Sequence, residues 1–215
     1  MKNTILEQAR AIARPGKESD LEQAQRVLMD HLTINQCDTD AWLLLIRIEC
    51  NIPFDDPERI IHYAQHILLY DSSNAYALLF WSYADHYLMG NSDDDLYDKL
   101  RMAHSDNREI MSMIELAKAR YFDGRDSKEC EQALKRSIEY CSTHAMNFHM
   151  LGKLYVKQGK DQEGKLLIEH GLQNIQRIRR CQEVDEWVLD CTNIQGLFDE
   201  FFSGISTNDI ALCGW

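Results

Sequence analysis

Proline and glycine are scarce in this chain, three and ten among 215 residues. A fold made of many tight turns draws on both, so their shortage points to long helices. Valine is rare too, while Leu, Ala, Glu, Gln and Lys are common, which favours helix again. No stretch approaches the roughly 18 apolar residues of a membrane span. The opening Met-Lys-Asn-Thr-Ile-Leu-Glu-Gln has neither the apolar core nor the cleavage site of a signal peptide, so a cytoplasmic location is expected. Positive charge is in deficit: the formal net charge is −12 and the sequence pI is near 5.1. Phosphate backbones attract basic faces, so nucleic acid is not the expected partner. The one basic run, Arg177-Ile178-Arg179-Arg180, falls near the end of a predicted helix, where positive charge suits the dipole.

The residues that carry chemistry are missing as well. Seven cysteines, at 37, 50, 130, 141, 181, 191 and 213, are odd in number, scattered, and without a C-x2-C pair. That fits neither a disulfide framework nor a zinc site. There is no glycine-rich phosphate loop, dinucleotide fingerprint or nucleophile elbow. His62 and His66 stand at i and i+4, but the Glu of H-E-x2-H is absent and no third ligand is evident. His144 and His149 near Cys141 are no stronger. Asp93, Asp94 and Asp95 suit a capped helix start better than a calcium loop, which needs alternating ligands and a closing Glu. The sequence therefore predicts no catalytic residue, no metal and no cofactor, and the chain is read as a non-enzyme.

What the chain does contain is a repeat. Phe148, Leu151, Gly152 and Tyr155 lie at i, i+3, i+4 and i+7, one face of a helix. A break follows at Gln158-Gly159-Lys160-Asp161. Gly164, Ile168 and Gly171 then mark a second helix, with glycines where another backbone approaches; Gly152 is expected to make its contact within the hairpin and Gly171 toward neighbouring units. Thirty-four residues earlier, Ile114, Ala117, Lys118 and Tyr121, followed by Cys130, Leu134 and Ser137, occupy the same offsets. Only Lys118 departs from the pattern, standing where a small residue is preferred. This spacing resembles that of the tetratricopeptide repeat (TPR), a helical hairpin of about 34 residues.

Earlier units follow the same phase. Trp42, Leu45, Ile46 and Glu49 fill first-helix positions, and Ile60, Ala64 and Ile67 second-helix positions. Asp56 is the expected N-cap, with Pro57 at the first helical position. Leu78, Trp81, Ser82 and Asp85, then Leu96, Leu100 and Ala103, form the least regular unit, its second helix capped by Ser92 or Asp93. Ala24, Leu28 and His31 mark the opening unit, whose second helix is expected over 21–34 behind a Ser19 or Asp20 cap. The units run at about 5–38, 39–74, 75–110, 111–144 and 145–178, in one domain over 1–203. Val184, Trp187, Val188 and Cys191, and then Leu197, Phe198, Phe201 and Phe202, suggest capping helices over 182–203. Residues 204–215 form an aperiodic tail. The expected fold is all-α, with about eleven or twelve helices.

The resemblance implies a right-handed α-solenoid whose first helices line a concave groove. Carried onto this chain, the groove positions include Leu43, Arg47, Tyr76, Leu79, Tyr83, His86, Phe122, Met146, His149 and Lys153. They do not form the Lys/Asn/Arg clamp of TPR domains that hold chaperone C-termini. They form a mixed groove with an aromatic and aliphatic patch around Tyr76, Leu79, Tyr83 and Phe122, which favours a protein or peptide partner. The implied function is an adaptor or chaperone that holds an apolar segment of another protein. The chain is loosely similar in this to small acidic TPR chaperones of bacterial secretion systems. A peptide-sensing regulator or an immunity-type inhibitor is the alternative, and a homo-oligomer is compatible with either.

Overall fold

A computed structural model describes residues 2–14, 17–50 and 56–181. The expected hairpin loop at 51–55, the capping helices at 182–203 and the tail at 204–215 lie outside the described residues. Among those described there are ten α-helices and no strand. They are α1 (Lys2–Ala13), α2 (Glu18–Ile34), α3 (Thr39–Glu49), α4 (Pro57–Tyr70), α5 (Ala75–Ser82), α6 (Asp94–Met102), α7 (Arg108–Phe122), α8 (Ser127–Tyr140), α9 (Ala145–Lys157) and α10 (Asp161–Cys181). Consecutive pairs give five hairpins at the spacing of the sequence repeat.

Most helix starts were written in the sequence. The Asp56 carboxylate accepts from the Glu58 and Arg59 amides at 3.1 and 3.2 Å, and Pro57 opens α4. Asn74, Asp93, Asn107 and Asp126 cap α5, α6, α7 and α8 in the same way. Each such cap contributes about 1 kcal/mol. Helix α2 differs from expectation. It begins at Glu18, behind a Lys17 that makes no capping bond, so Ser19 and Asp20 lie inside its first turn. Glu18 and Asp20 there still complement the helix dipole.

Contacts divide the chain into two compact units, one with its described part ending at His104 and the other beginning at Ser105. In the first, α1 pairs with α2, α3 with α4 and α5 with α6, while α2 packs on α3 and α4 on α5. Its interior holds the repeat positions: Ala24, Leu28, Trp42, Leu45, Ile46, Ile60, Ala64, Ile67, Leu78, Trp81, Leu96 and Leu100 are all buried. The third hairpin contains a surprise. Beyond Ser82, helix α5 widens into a π-helical segment, Tyr83–Leu88, in which the Met89 amide donates to the Ala84 carbonyl at 3.0 Å. Such segments place an extra residue in a turn. Buried Asp85, in the slot that takes Tyr in the repeat pattern, accepts the Asp93 amide at 3.1 Å and so ties the segment to the start of α6.

In the second unit α7 packs on α8, α8 on α9 and α9 on α10. Gly152 explains the closeness of the last pair. A Cβ there would meet the Gly164 carbonyl oxygen and Ile168 Cγ1, both at 2.6 Å. The contact lies within the hairpin, as the sequence suggested. Gly171 was expected to face neighbouring units and does not: its Cβ would meet the Ala145 oxygen at 2.9 Å, on the partner helix of its own hairpin. The reason is that α10 runs antiparallel to α9 for its whole described length, so its later turns meet the start of α9. Gly152→Leu is therefore expected to destabilise the unit by about 3 kcal/mol, since a backbone carbonyl cannot rotate out of the way. A urea midpoint equal to wild type would show that the hairpin is not packed as described.

Candidate partner-binding site

The groove positions divide between the two units. In the first, Leu43 and Arg47 stand one turn apart on α3. Tyr76 and Leu79 follow on α5, and Tyr83 and His86 lie in the π-helical segment. Helices α3 and α5 touch, so these residues belong to adjacent elements. Their exposure differs from that of an open groove. Leu43, Arg47, Leu79, Tyr83 and His86 are all buried, and only Tyr76 is half-buried. His86 Nδ1 donates to the Asn91 carbonyl at 3.0 Å, with the Asp85 carboxylate 3.4 Å away, so it helps to close the loop after the π-segment.

In the second unit, Met146, His149 and Lys153 lie along one side of α9. Met146 and His149 are buried and Lys153 is half-buried. Burial, and secondarily the Lys153 charge, push the His149 imidazole down to about 4. His144, wholly buried just before α9, is pushed down to about 3 by burial alone. Both are neutral at pH 7. Phe122 sits at the last residue of α7, half-buried, its ring edge-on to Tyr121 at 5.3 Å. Sequence spacing placed these residues on one helix face. It could not tell that most of that face is covered, because burial depends on what else reaches it.

Several weaker motifs are settled by geometry. His66 packs at a tilt against Trp42 at 4.4 Å and meets Tyr70 edge-on at 5.4 Å, whereas His62 is exposed. Their i, i+4 spacing thus serves packing on one side and solvent on the other. No group of three or more His, Cys, Asp or Glu among the described residues could hold a metal ion. Asp93 caps α6 through the Asp95 and Leu96 amides at 2.8 and 3.3 Å. The basic run 177–180 falls in the last turn of α10; its side chains lie outside the described residues. No described helix is long and apolar enough to cross a membrane.

Polar groups whose partners pattern reading could not supply form two clusters around the buried carboxylates Glu49 and Glu115. Glu49 is 1 % exposed, accepts from Gln25 Nε2 at 2.5 Å and pairs with Arg59 Nη1 at 3.2 Å. It occupies the Tyr slot of the second unit, and the guanidinium offsets the cost of burying its charge. In the other compact unit, Glu115 bonds Lys118 at 2.8 Å and Arg136 at 2.7 Å. This gives the non-small Lys118 a structural place. Beside it, Asn147 Nδ2 donates to Ser112 Oγ at 3.1 Å, and Ser112 Oγ donates to the Ser137 carbonyl at 2.9 Å, joining α9, α7 and α8. Ser137 sits in a small-residue slot, so size was legible but the hydroxyl's partner was not.

Comparison with known proteins bears on the backbone. No protein-family model matches the sequence, and no curated protein is detectably similar to it. Two solved structures of MamA, a TPR-like protein, do resemble the chain. One matches with a TM-score of 0.58 and 16 % identity, over 75 % of this chain and 92 % of that one. The other matches with a TM-score of 0.61 and 14 % identity, over 85 % of this chain and 98 % of that one. Identity this low speaks for fold alone, and the fold it speaks for is the one the hairpins describe: all-α and TPR-like.

Proposed function

We propose that this protein is a non-enzymatic interaction module that holds an apolar segment of another protein against the first helices of its hairpins. The observation that carries the reading is Tyr76, the groove position of the first unit that stays half-buried while Leu43, Arg47, Leu79, Tyr83 and His86 are covered. An aromatic side chain left partly open on the surface is the type of residue that anchors protein interfaces. The TPR-like fold supports it, because stacked hairpins present one helix of each pair along a common side. Chaperone or adaptor is the role proposed, and cytoplasm the compartment. Within the first unit a partner segment meets the half-buried Tyr76 first; within the second, Phe122 and Lys153 are the half-buried positions.

The test is site-specific photo-crosslinking in the source cell, with benzoylphenylalanine at position 76 or 122 and, as a control, at exposed Gln65 on α4. The expected result is one protein crosslinked from 76 and 122 and none from 65. Crosslinks from 65 alone would move the interface to the second helices and end this reading. A companion variant, Tyr76→Ala, is expected to weaken binding of the captured partner by about 2 kcal/mol with an unchanged melting temperature. Leu79→Ala behaves differently. Its side chain is fully buried, so truncation is expected to cost about 2–5 kcal/mol of stability.

A further inference from the structure

Helix α9 of the second unit is covered on a side that faces none of its partner helices within that unit. Ala145, Phe148 and Gly152 face α10: the Phe148 ring lies 4.3 Å from that of His170, and a Cβ on Gly152 would touch Ile168. Tyr155 faces α8, its hydroxyl donating to Glu131 at 3.1 Å, and Asn147 faces α7 through Ser112. With 3.6 residues per turn, the remaining arc carries Met146, His149, Met150, Lys153 and Lys157. Burial along that arc is graded. Met146, His149 and Met150 are 5, 6 and 9 % exposed, Lys153 is half-buried and Lys157 is exposed. The cover therefore lies over the start of α9 and stops short of its end.

The start of α9 is also the end at which the chain continues. Helix α10 runs back along α9 and passes its first residue, where Asn174 Nδ2 donates to the Ser142 carbonyl at 3.4 Å. Cys181 stands about two turns further on. The burial is that of a single chain, so the cover belongs to the same chain. Residues 182–203 have the chemistry to supply it. Val184, Trp187 and Val188 are apolar, and Glu183, Asp185, Glu186 and Asp190 stand among them, with no Lys or Arg anywhere in the stretch. The arc offers the complement: two methionines, then Lys153, which makes no ion pair among the described residues, and Lys157, whose nearest carboxylate, Asp123, is 3.9 Å away.

We propose that residues 182–203 turn back over the start of α9 and occupy the side formed by Met146, His149 and Met150, as a ligand built into the chain. The apolar residues cover the methionines and the carboxylates meet the lysines. A short tether holds such a segment at an effective concentration of about millimolar, so a contact of modest affinity keeps it in place. A partner segment arriving on this side must displace it. That consequence rests on the function proposed above; the docking itself does not, and it is tested without a partner.

The test uses the whole chain with photo-methionine in place of methionine, a replacement that keeps size and charge. On irradiation, positions 146 and 150 are expected to crosslink to residues 182–203 of the same molecule. Crosslinks from these positions to α7, α8 or α10 alone would overturn the proposal, and so would crosslinks to 182–203 of a second molecule. A second measurement adds a peptide of residues 182–203 to wild type and to a full-length Trp187→Ser, Val188→Ser variant whose circular dichroism is unchanged. The variant is expected to bind the peptide at least about tenfold more tightly, because in wild type the tethered segment competes. Equal affinity for the two chains, or binding to neither, would contradict the docking.

Discussion

Trp42→Ala is expected to cost about 3–5 kcal/mol of stability, more than any other single truncation in the second hairpin. The indole is nearly buried against His66 and Tyr63, at ring separations of 4.4 and 5.4 Å. Its Nε1 donates to the Gln36 carbonyl at 2.8 Å, which fixes the connection between α2 and α3. Alanine removes the packing and leaves that carbonyl without its donor, so a cavity and an unmet acceptor add together. Leu69→Ala on α4 is the matched control: that side chain is 77 % exposed, and its loss is expected to stay within about 0.5 kcal/mol. Chemical denaturation of both variants measures the difference. Similar midpoints for the two would remove Trp42 from the core and with it the repeat phase assigned to α3.

Mild acid is expected to destabilise the second unit before carboxylates begin to protonate. His144 and His149 have folded pKa values near 3 and 4, against about 6.5 when the chain is unfolded. Burial disfavours their charged forms, so below pH 6.5 the unfolded chain binds two protons that the folded chain does not. Their contribution is thus fully present above pH 6.5 and is lost as pH falls toward the folded values. From pH 7 to pH 5 the loss is about 2 kcal/mol for each histidine, or about 4 kcal/mol together. His149→Gln is expected to keep the fold and halve this slope. Stability that is flat between pH 7 and 5 would contradict the burial of both imidazoles.

The two predictions depend differently on what the sequence could show. Trp42 stood out because it recurs in phase with Leu78, Ile114 and Phe148, and all four are buried. A 34-residue period fixes which side chains face inward within a hairpin, since the spacing of a helix leaves little choice once its partner is known. His144 stood out only for its nearness to Cys141. Its burial is a property of the assembled unit, and no local pattern announces it. The groove residues fall between these cases. Spacing put Leu43, Arg47, Leu79 and Tyr83 together, but their degree of exposure came from the structure.

By itself the sequence determined the helical class, the hairpin period, the Asp56 cap, the Asp93 cap as one of two alternatives, and the small–large–small slots of the second helices. Those depend on contacts within about four residues along a helix or across one short turn, which spacing and capping chemistry encode directly. Only the tertiary structure decided the π-helical segment after Ser82, the seating of Gly171 on its own hairpin and the pairing of Glu49 with Gln25 and Arg59. It alone revealed the cover over Met146 and Met150 at the start of α9. Each joins groups distant in sequence or answers a local packing conflict, and the energy that selects it exists only once the helices have met. A carboxylate in a tyrosine slot reads as an exception in the sequence; a guanidinium ten residues away in the chain makes it a stable part of the core.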